Sequence, residues 1–265
     1  MLFRSPNAQV VLFADTFTRY NHPEIGIAAV EVLERLGYEV IIPEWQCCGR
    51  PLISQGQPKA ARELAEFNVR TLAPYARQGL PILGLEPSCI SALSDDYLDL
   101  LPGEETKIVA KAIQSVEAFV HAASSHLALT IDHSGSIVTG QSSTSTDKGS
   151  ILLHGHCHQK ATYGTAGSRR ALEQLGYVVK EAEAATCCGM AGAFGFEAEH
   201  DEISERIGEL GVLPAARNAS KETIIAAPGT SCRQQIEQFT GRKALHPIEI
   251  IRRAMNHDSR DNEKS

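Results

Sequence analysis

The chain contains one pattern twice, and that repeat limits its fold more than any other feature. LERLGYEV (33–40) returns as LEQLGYVV (172–179), and each phrase leads into Cys-Cys-Gly, at 47–49 and 187–189. Before each phrase comes a β-type run, VVLFAD (10–15) and SILLHGHCH (150–158). After each comes an apolar run closing on a further cysteine, PILGLEPSC (81–89) and TIIAAPGTSC (223–232). Cys89 follows Cys47 by 42 positions and Cys232 follows Cys187 by 45. Self-similarity over this length and order marks two copies of one structural unit.

Within each copy, short apolar runs alternate with helical patterns, over Glu24–Leu36 and Ser168–Leu175 and again over Lys59–Tyr75 and Asp201–Leu210. That alternation is the signal for βαβ crossovers and a parallel sheet. Gly37 and Gly176 follow the last apolar-periodic residue of their helices, where a C-terminal stop is expected. The expected fold class is α/β: two pseudo-symmetric repeats, each a small parallel sheet flanked by helices, with cysteines at the strand carboxyl ends. Residues 1–130 form the first unit and 151–256 the second. A Ser/Thr/Gly-rich linker at 131–150 joins them, and a polar, disordered tail covers 257–265.

Chemistry in parallel α/β units gathers at the carboxyl ends of the strands. Cys157, Cys187, Cys188 and Cys232 all follow strand-like runs, so distant residues are expected to converge on one rim. Cys47, Cys48 and Cys89 repeat the arrangement. Four converging thiolates in a reducing compartment point to a metal or an iron–sulfur cluster. Gly49 and Gly189 give the tight turn that lets both members of an adjacent pair face one site. Structural zinc usually takes C-x(2–4)-C pairs, which the chain lacks, so iron–sulfur is favoured and zinc stays as the alternative. A thiol–disulfide active site is disfavoured by the same absence of C-x-x-C. His154, His156 and His158 alternate around Cys157. They read either as ligands and hydrogen-bonding partners, with His156 and His158 the ligand candidates, or as strand-end polar residues. Gly189, Gly192 and Gly195 form G-x-x-G-x-x-G, which departs from the dinucleotide fingerprint. They suit a backbone wrapped round a cluster. Glu86 and Arg233 adjoin Cys89 and Cys232 and are candidates for tuning local charge, while Trp45 is read as core. No catalytic residue is identified.

The net charge of -7 and pI near 5.8 leave no basic stripe for nucleic acid. No transmembrane segment is expected, because no apolar run nears the ~18–20 residues a membrane span needs. The apolar stretch VVLFA is too short for a secretory signal. A cytoplasmic protein is expected.

The phrases CCGRPL, LEPSC, HGHCHQKA, CCGMAGAFGFE and GTSCRQQI resemble the cysteine-rich CCG domains of the heterodisulfide reductase B-subunit family. More narrowly, they resemble the iron–sulfur half of FAD-linked D-lactate and glycolate oxidases. The resemblance covers residues ~9–255 and implies [4Fe–4S]-type clusters held by Cys47, Cys48, Cys89, Cys157, Cys187, Cys188 and Cys232. It also implies electron transfer from a flavin subunit oxidising a 2-hydroxy acid. The implied partners are an FAD-linked oxidase subunit or domain and a ferredoxin-like iron–sulfur protein, with any peripheral membrane association running through them. In the first copy the family's leading cysteine falls on Asp15, which makes Asp15 a candidate ligand and zinc an alternative occupant there. A zinc-bearing assembly module and a cluster enzyme reducing a disulfide are the rival functions.

Overall fold

Val10, Val11, Leu12 and Phe13 are all buried, so the first strand is a continuous apolar run, as a strand covered on both faces must be. In the computed structural model that strand is central to a four-stranded sheet. The structure describes residues 8–126, 129–131, 137–139, 148–182 and 187–261. It divides into two compact units, Met1–Val120 and His121–Ser265.

The first unit begins with β1 (Ala8–Phe13), α1 (Thr16–Tyr20), α2 (Pro23–Arg35) and β2 (Tyr38–Ile41). It continues with α3 (Arg50–Ser54), α4 (Pro58–Arg77), β3 (Ile82–Gly84) and α5 (Pro87–Ser91). A π-helical turn (Ala92–Asp96), α6 (Tyr97–Leu100), α7 (Glu104–Ala112), β4 (Ile113–Ser115) and α8 (Val116–His126) complete it, α8 crossing the boundary between the units. All strands are parallel, in the order β2-β1-β3-β4. On α2 the buried residues are Ile25, Ala28, Ala29, Val32 and Leu33, the three-and-four spacing of a single face. Gly37 then takes a left-handed φ of 81°, turning the chain into β2.

The second unit opens with a short antiparallel pair, β5 (Leu129–Ile131) and β6 (Ile137–Thr139). Then come β7 (Ser150–Leu153), α9 (Cys157–Thr162), α10 (Ala166–Glu173) and β8 (Val178–Glu181). A 3-10 turn (Phe194–Phe196), α11 (Asp201–Gly208), α12 (Val212–Asn218), β9 (Ile224–Ala226), α13 (Thr230–Thr240), β10 (Ala244–Leu245) and α14 (Pro247–Asp261) follow. Its main sheet is parallel, in the order β10-β9-β7-β8. Read from the other edge this is second, first, third, fourth, the order of the first unit. The shared order bears out the repeat as a structural one. Gly176, with φ 90°, plays the part of Gly37.

Three expectations need correction. The run 150–158 is a strand only to Leu153, because His156 caps a helix and Cys157 begins it. The segment 257–265, read as a disordered tail, is helical as far as Asp261. Its last four residues lie outside the described residues. The linker proposed at 131–150 contains β6, while 132–136 and 140–147 lie outside the described residues.

Candidate metal centre

With the order second, first, third, fourth, the first crossover runs from the first strand to a neighbour on one side and the second runs back past it to a neighbour on the other. A crevice therefore opens at the carboxyl ends of the first and third strands. In the second unit Cys157 follows β7 and Cys232 follows β9, one from each wall of that crevice. Cys187 and Cys188 arrive on the segment after β8.

The four sulfurs lie close enough to perturb one another, Cys157 with Cys187, Cys187 with Cys188 and Cys188 with Cys232. The neighbouring Cys157 and Cys188 thiols, with the Gly189 N–H at 3.3 Å, hold Cys187 well below the ordinary thiol value. Cys157 and Cys188 are pushed up, chiefly by Cys187 and further by burial. Cys232 lies well below its ordinary value because of Cys188, with His156 and His154 adding to the effect. All seven cysteines are free.

The surroundings fix these sulfurs. Gly189 adopts φ +103°, and a side chain on it would overlap the Ser204 carbonyl. Gln235 Nε2 donates to that carbonyl and to Ser204 Oγ, both at 3.2 Å. Arg233 Nη1 donates to the carbonyls of Ala227 (3.2 Å) and Pro228 (2.6 Å), and Nη2 to Thr230 Oγ1 (3.0 Å), tying down the loop that carries Cys232. Arg233 is thus a buried backbone clamp. A Cβ on Gly229 would run into the His156 ring and come within 3.3 Å of Cys232 Sγ.

His156 Nδ1 accepts from the His158 N–H at 3.1 Å, so any ligand role falls to Nε2. His158 is half-buried with its ring 5.3 Å from that of His156. His154 is 1% exposed, and neither ring nitrogen finds an oxygen or nitrogen partner among the described residues. The group it faces is the Cys232 sulfur. A buried, unpartnered histidine beside four crowded cysteines fits a bound metal group.

The first unit repeats the arrangement with different neighbours. Cys48 lies beside both Cys47 and Cys89, close enough to perturb each. Cys89 is the third residue of α5, as Cys232 is the third of α13. Cys48 lowers Cys89, but burial with the Asp15 and Glu86 carboxylates carries it up to about 11. Gly49 takes φ +79°. Asn68 and Tyr97 hold the loop. Asn68 Nδ2 donates to the carbonyls of Gln46 (3.1 Å) and Cys47 (3.2 Å), and Tyr97 Oη to that of Cys48 (3.0 Å). Neither residue carried a sequence signal, since both sit in ordinary helical patterns. Asp15 is 1% exposed and caps α1, Oδ1 accepting from the N–H groups of Phe17 (2.9 Å) and Thr18 (3.1 Å) and Oδ2 from Thr18 Oγ1 (2.7 Å). Its carboxyl is pushed up by burial and by Glu86. Trp45 is half-buried, edge-on to Phe13.

A family model described as CCG, cysteine-rich domain, matches residues 12–94 and 151–237, one match around each cysteine set. The chain is 30% identical over 246 residues to D-2-hydroxyglutarate dehydrogenase of Pseudomonas putida, covering 91% of this chain and 22% of that protein. It is 25% identical over 251 residues to one of the subunits of the anaerobic glycerol-3-phosphate dehydrogenase of Escherichia coli K12, covering 93% of this chain and 59% of that one. It is 26% identical over 268 residues to lactate utilization protein A of Halalkalibacterium halodurans, covering 97% of this chain and all of that protein. The chain thus spans about a fifth and about three fifths of the first two relatives. Among the described residues no helix is long and apolar enough to cross a membrane.

Proposed function

The chain belongs to the CCG cysteine-rich domain family, and on that premise we propose that it is the iron–sulfur electron-transfer component of a flavin-linked dehydrogenase. Two of the three relatives above carry names that refer to 2-hydroxy acids. The substrate class we propose for the flavin partner is accordingly a 2-hydroxy acid of the D-lactate or glycolate type.

One observation carries the reading: Cys157, Cys187, Cys188 and Cys232 follow three strands of one parallel sheet and stand close enough to perturb one another. Thiolates in such a set are the ligands that iron–sulfur clusters take. A cluster there would supply one-electron chemistry, receiving electrons from the flavin and handing them on. The protein's own part is to hold the ligands, keep water out and set the potential. The Gly189 N–H donates to Cys187 and His154 faces Cys232, both favouring negative charge on sulfur. Burial of Cys188 and Cys232 keeps their sulfurs dry.

Anaerobic purification with iron, acid-labile sulfide and zinc analysis tests this reading. Iron with matching sulfide, and an electron paramagnetic resonance signal on reduction, is the expected result. A colourless protein holding stoichiometric zinc would replace it with a structural role. Reduction of the loaded protein by D-lactate or glycolate through a co-purified flavin subunit tests the substrate class.

A further inference from the structure

We infer that Thr16, not Asp15, takes the place of the fourth cysteine at the first site, leaving one ligand position open to a small anion from the adjoining cavity. The inference rests on the iron–sulfur reading above and on the register between the two units.

In the first unit β1 ends at Phe13, paired with Gly84, and Asp15 caps the helix that follows. In the second, β7 ends at Leu153, paired with Ala226, and His156 caps the helix that follows. The connecting loop is one residue shorter in the first unit. Matching cap with cap sets Asp15 against His156, and the next residue, Thr16, against Cys157. Side chains agree with this register. Thr16 and Cys47 line one cavity and Thr16 acts to lower Cys47, as Cys157 stands beside Cys187 and acts to lower it. Both oxygens of Asp15 are already engaged with Phe17 and Thr18.

A neutral threonine hydroxyl is a poor ligand for a soft metal site, where thiolate is the natural one. Three cysteines therefore serve the first site and its fourth position is exchangeable. Space exists for what would exchange there. A cavity of about 610 Å³ is lined by Thr16, Cys47, Trp45 and Arg19, among others. Arg19 lies three residues beyond Thr16 on α1, the spacing that places both on one helical face. Its guanidinium sits 5.2 Å from the centre of the Trp45 ring. The lining thus offers an anion one cation, Arg19, beside one carboxylate, Glu44.

The test uses the full chain, prepared anaerobically with its iron and probed with cyanide, a small anion that binds iron. Electron paramagnetic resonance and iron per chain are the readouts. In wild type, cyanide should change the spectrum of the first site. Thr16→Cys, which supplies the missing thiolate, should cut that change about tenfold and raise iron per chain. Thr16→Val, which supplies none, should keep the cyanide response, and Asp15→Asn should keep the iron. The inference is overturned if cyanide leaves wild type unchanged or alters Thr16→Cys equally. It is also overturned if Asp15→Asn loses iron as Cys47→Ser does. Absence of iron from wild type would instead overturn the cluster reading, and this inference with it.

Discussion

A side chain added to Gly189, the residue after the paired cysteines, would collide with the carbonyl oxygen of Ser204, one turn into α11. Gly189 also holds φ +103°, which side-chain-bearing residues rarely adopt. Gly189→Ala should therefore cost about 3 kcal/mol or more, the sum of backbone strain and overlap with a fixed carbonyl. The matching glycine of the first unit is looser, since a Cβ on Gly49 would come no nearer than 3.4 Å to Ala61. Gly49→Ala should cost about 1 kcal/mol, the strain alone. Thermal melts of both variants check the ranking, and equal losses would count against it.

The two sites should hold iron unequally. Cys188→Ser replaces one of four thiolates with a hard oxygen and should remove most of the iron and visible absorbance. Cys48→Ser acts on a site with three cysteines and should remove less. If Cys48→Ser empties the protein while Cys188→Ser does not, the first site is the working one.

Charge near the sulfurs should separate the potentials. Asp15 and Glu86 lie close enough to Cys89 to raise it, whereas His154 and His156 favour the thiolate of Cys232. Added negative charge disfavours the reduced form, so the first site should have the lower potential. Glu86→Gln should raise that potential by on the order of 50 mV, about 1 kcal/mol for one electron across a partly screened gap. A redox titration followed by electron paramagnetic resonance measures it, and an unchanged midpoint would remove the electrostatic account.

Thiol chemistry of the metal-free protein should be split by pH. Cys187 lies at about 2, so it is a thiolate throughout the range from about pH 5 to about pH 9. Its alkylation by iodoacetamide should vary little over that range. Cys89 lies at about 11, so its thiolate appears only as pH rises towards that value, and its alkylation should climb about tenfold per unit below it. Peptide mass spectrometry after timed labelling reads both. A Cys187 rate that climbs like that of Cys89 would show that its neighbours do not hold it as a thiolate.

Asn68 is the member of the first site whose loss should be felt most in stability. Asn68→Ala removes bonds to Gln46, Cys47 and Tyr97 from a buried position and should cost about 2–4 kcal/mol. Denaturant unfolding checks this, and a loss under about 1 kcal/mol would mean the loop is held by other contacts.

Much of this architecture was readable from the chain itself. The apolar runs became the central strands because a parallel sheet buries both faces, and the two Gly-Tyr junctions became helix ends because glycine alone turns left-handed at little cost. Strands β4 and β10 escaped because three and two residues carry no period. The histidines misled because alternation around Cys157 looks like a strand, while the capping bonds that start a helix at His156 are invisible in one dimension. The cap role of Asp15 was hidden for a related reason, since counting from the strand end cannot detect a loop one residue shorter. Asn68 and Ser204 were missed because a helix pattern marks which face is buried, not which buried residue reaches back to a loop.

Each sheet delivers its whole cysteine set from its own strand ends, in the same strand order in both units. Duplicating such a unit doubles the number of sockets without making either depend on the other for ligands. The two sockets can therefore differ, with a hydroxyl and a carboxylate at Thr16 and Asp15 where the other has a sulfur and a histidine at Cys157 and His156. A chain built this way can acquire a second chemistry with no new fold and no loss of the first.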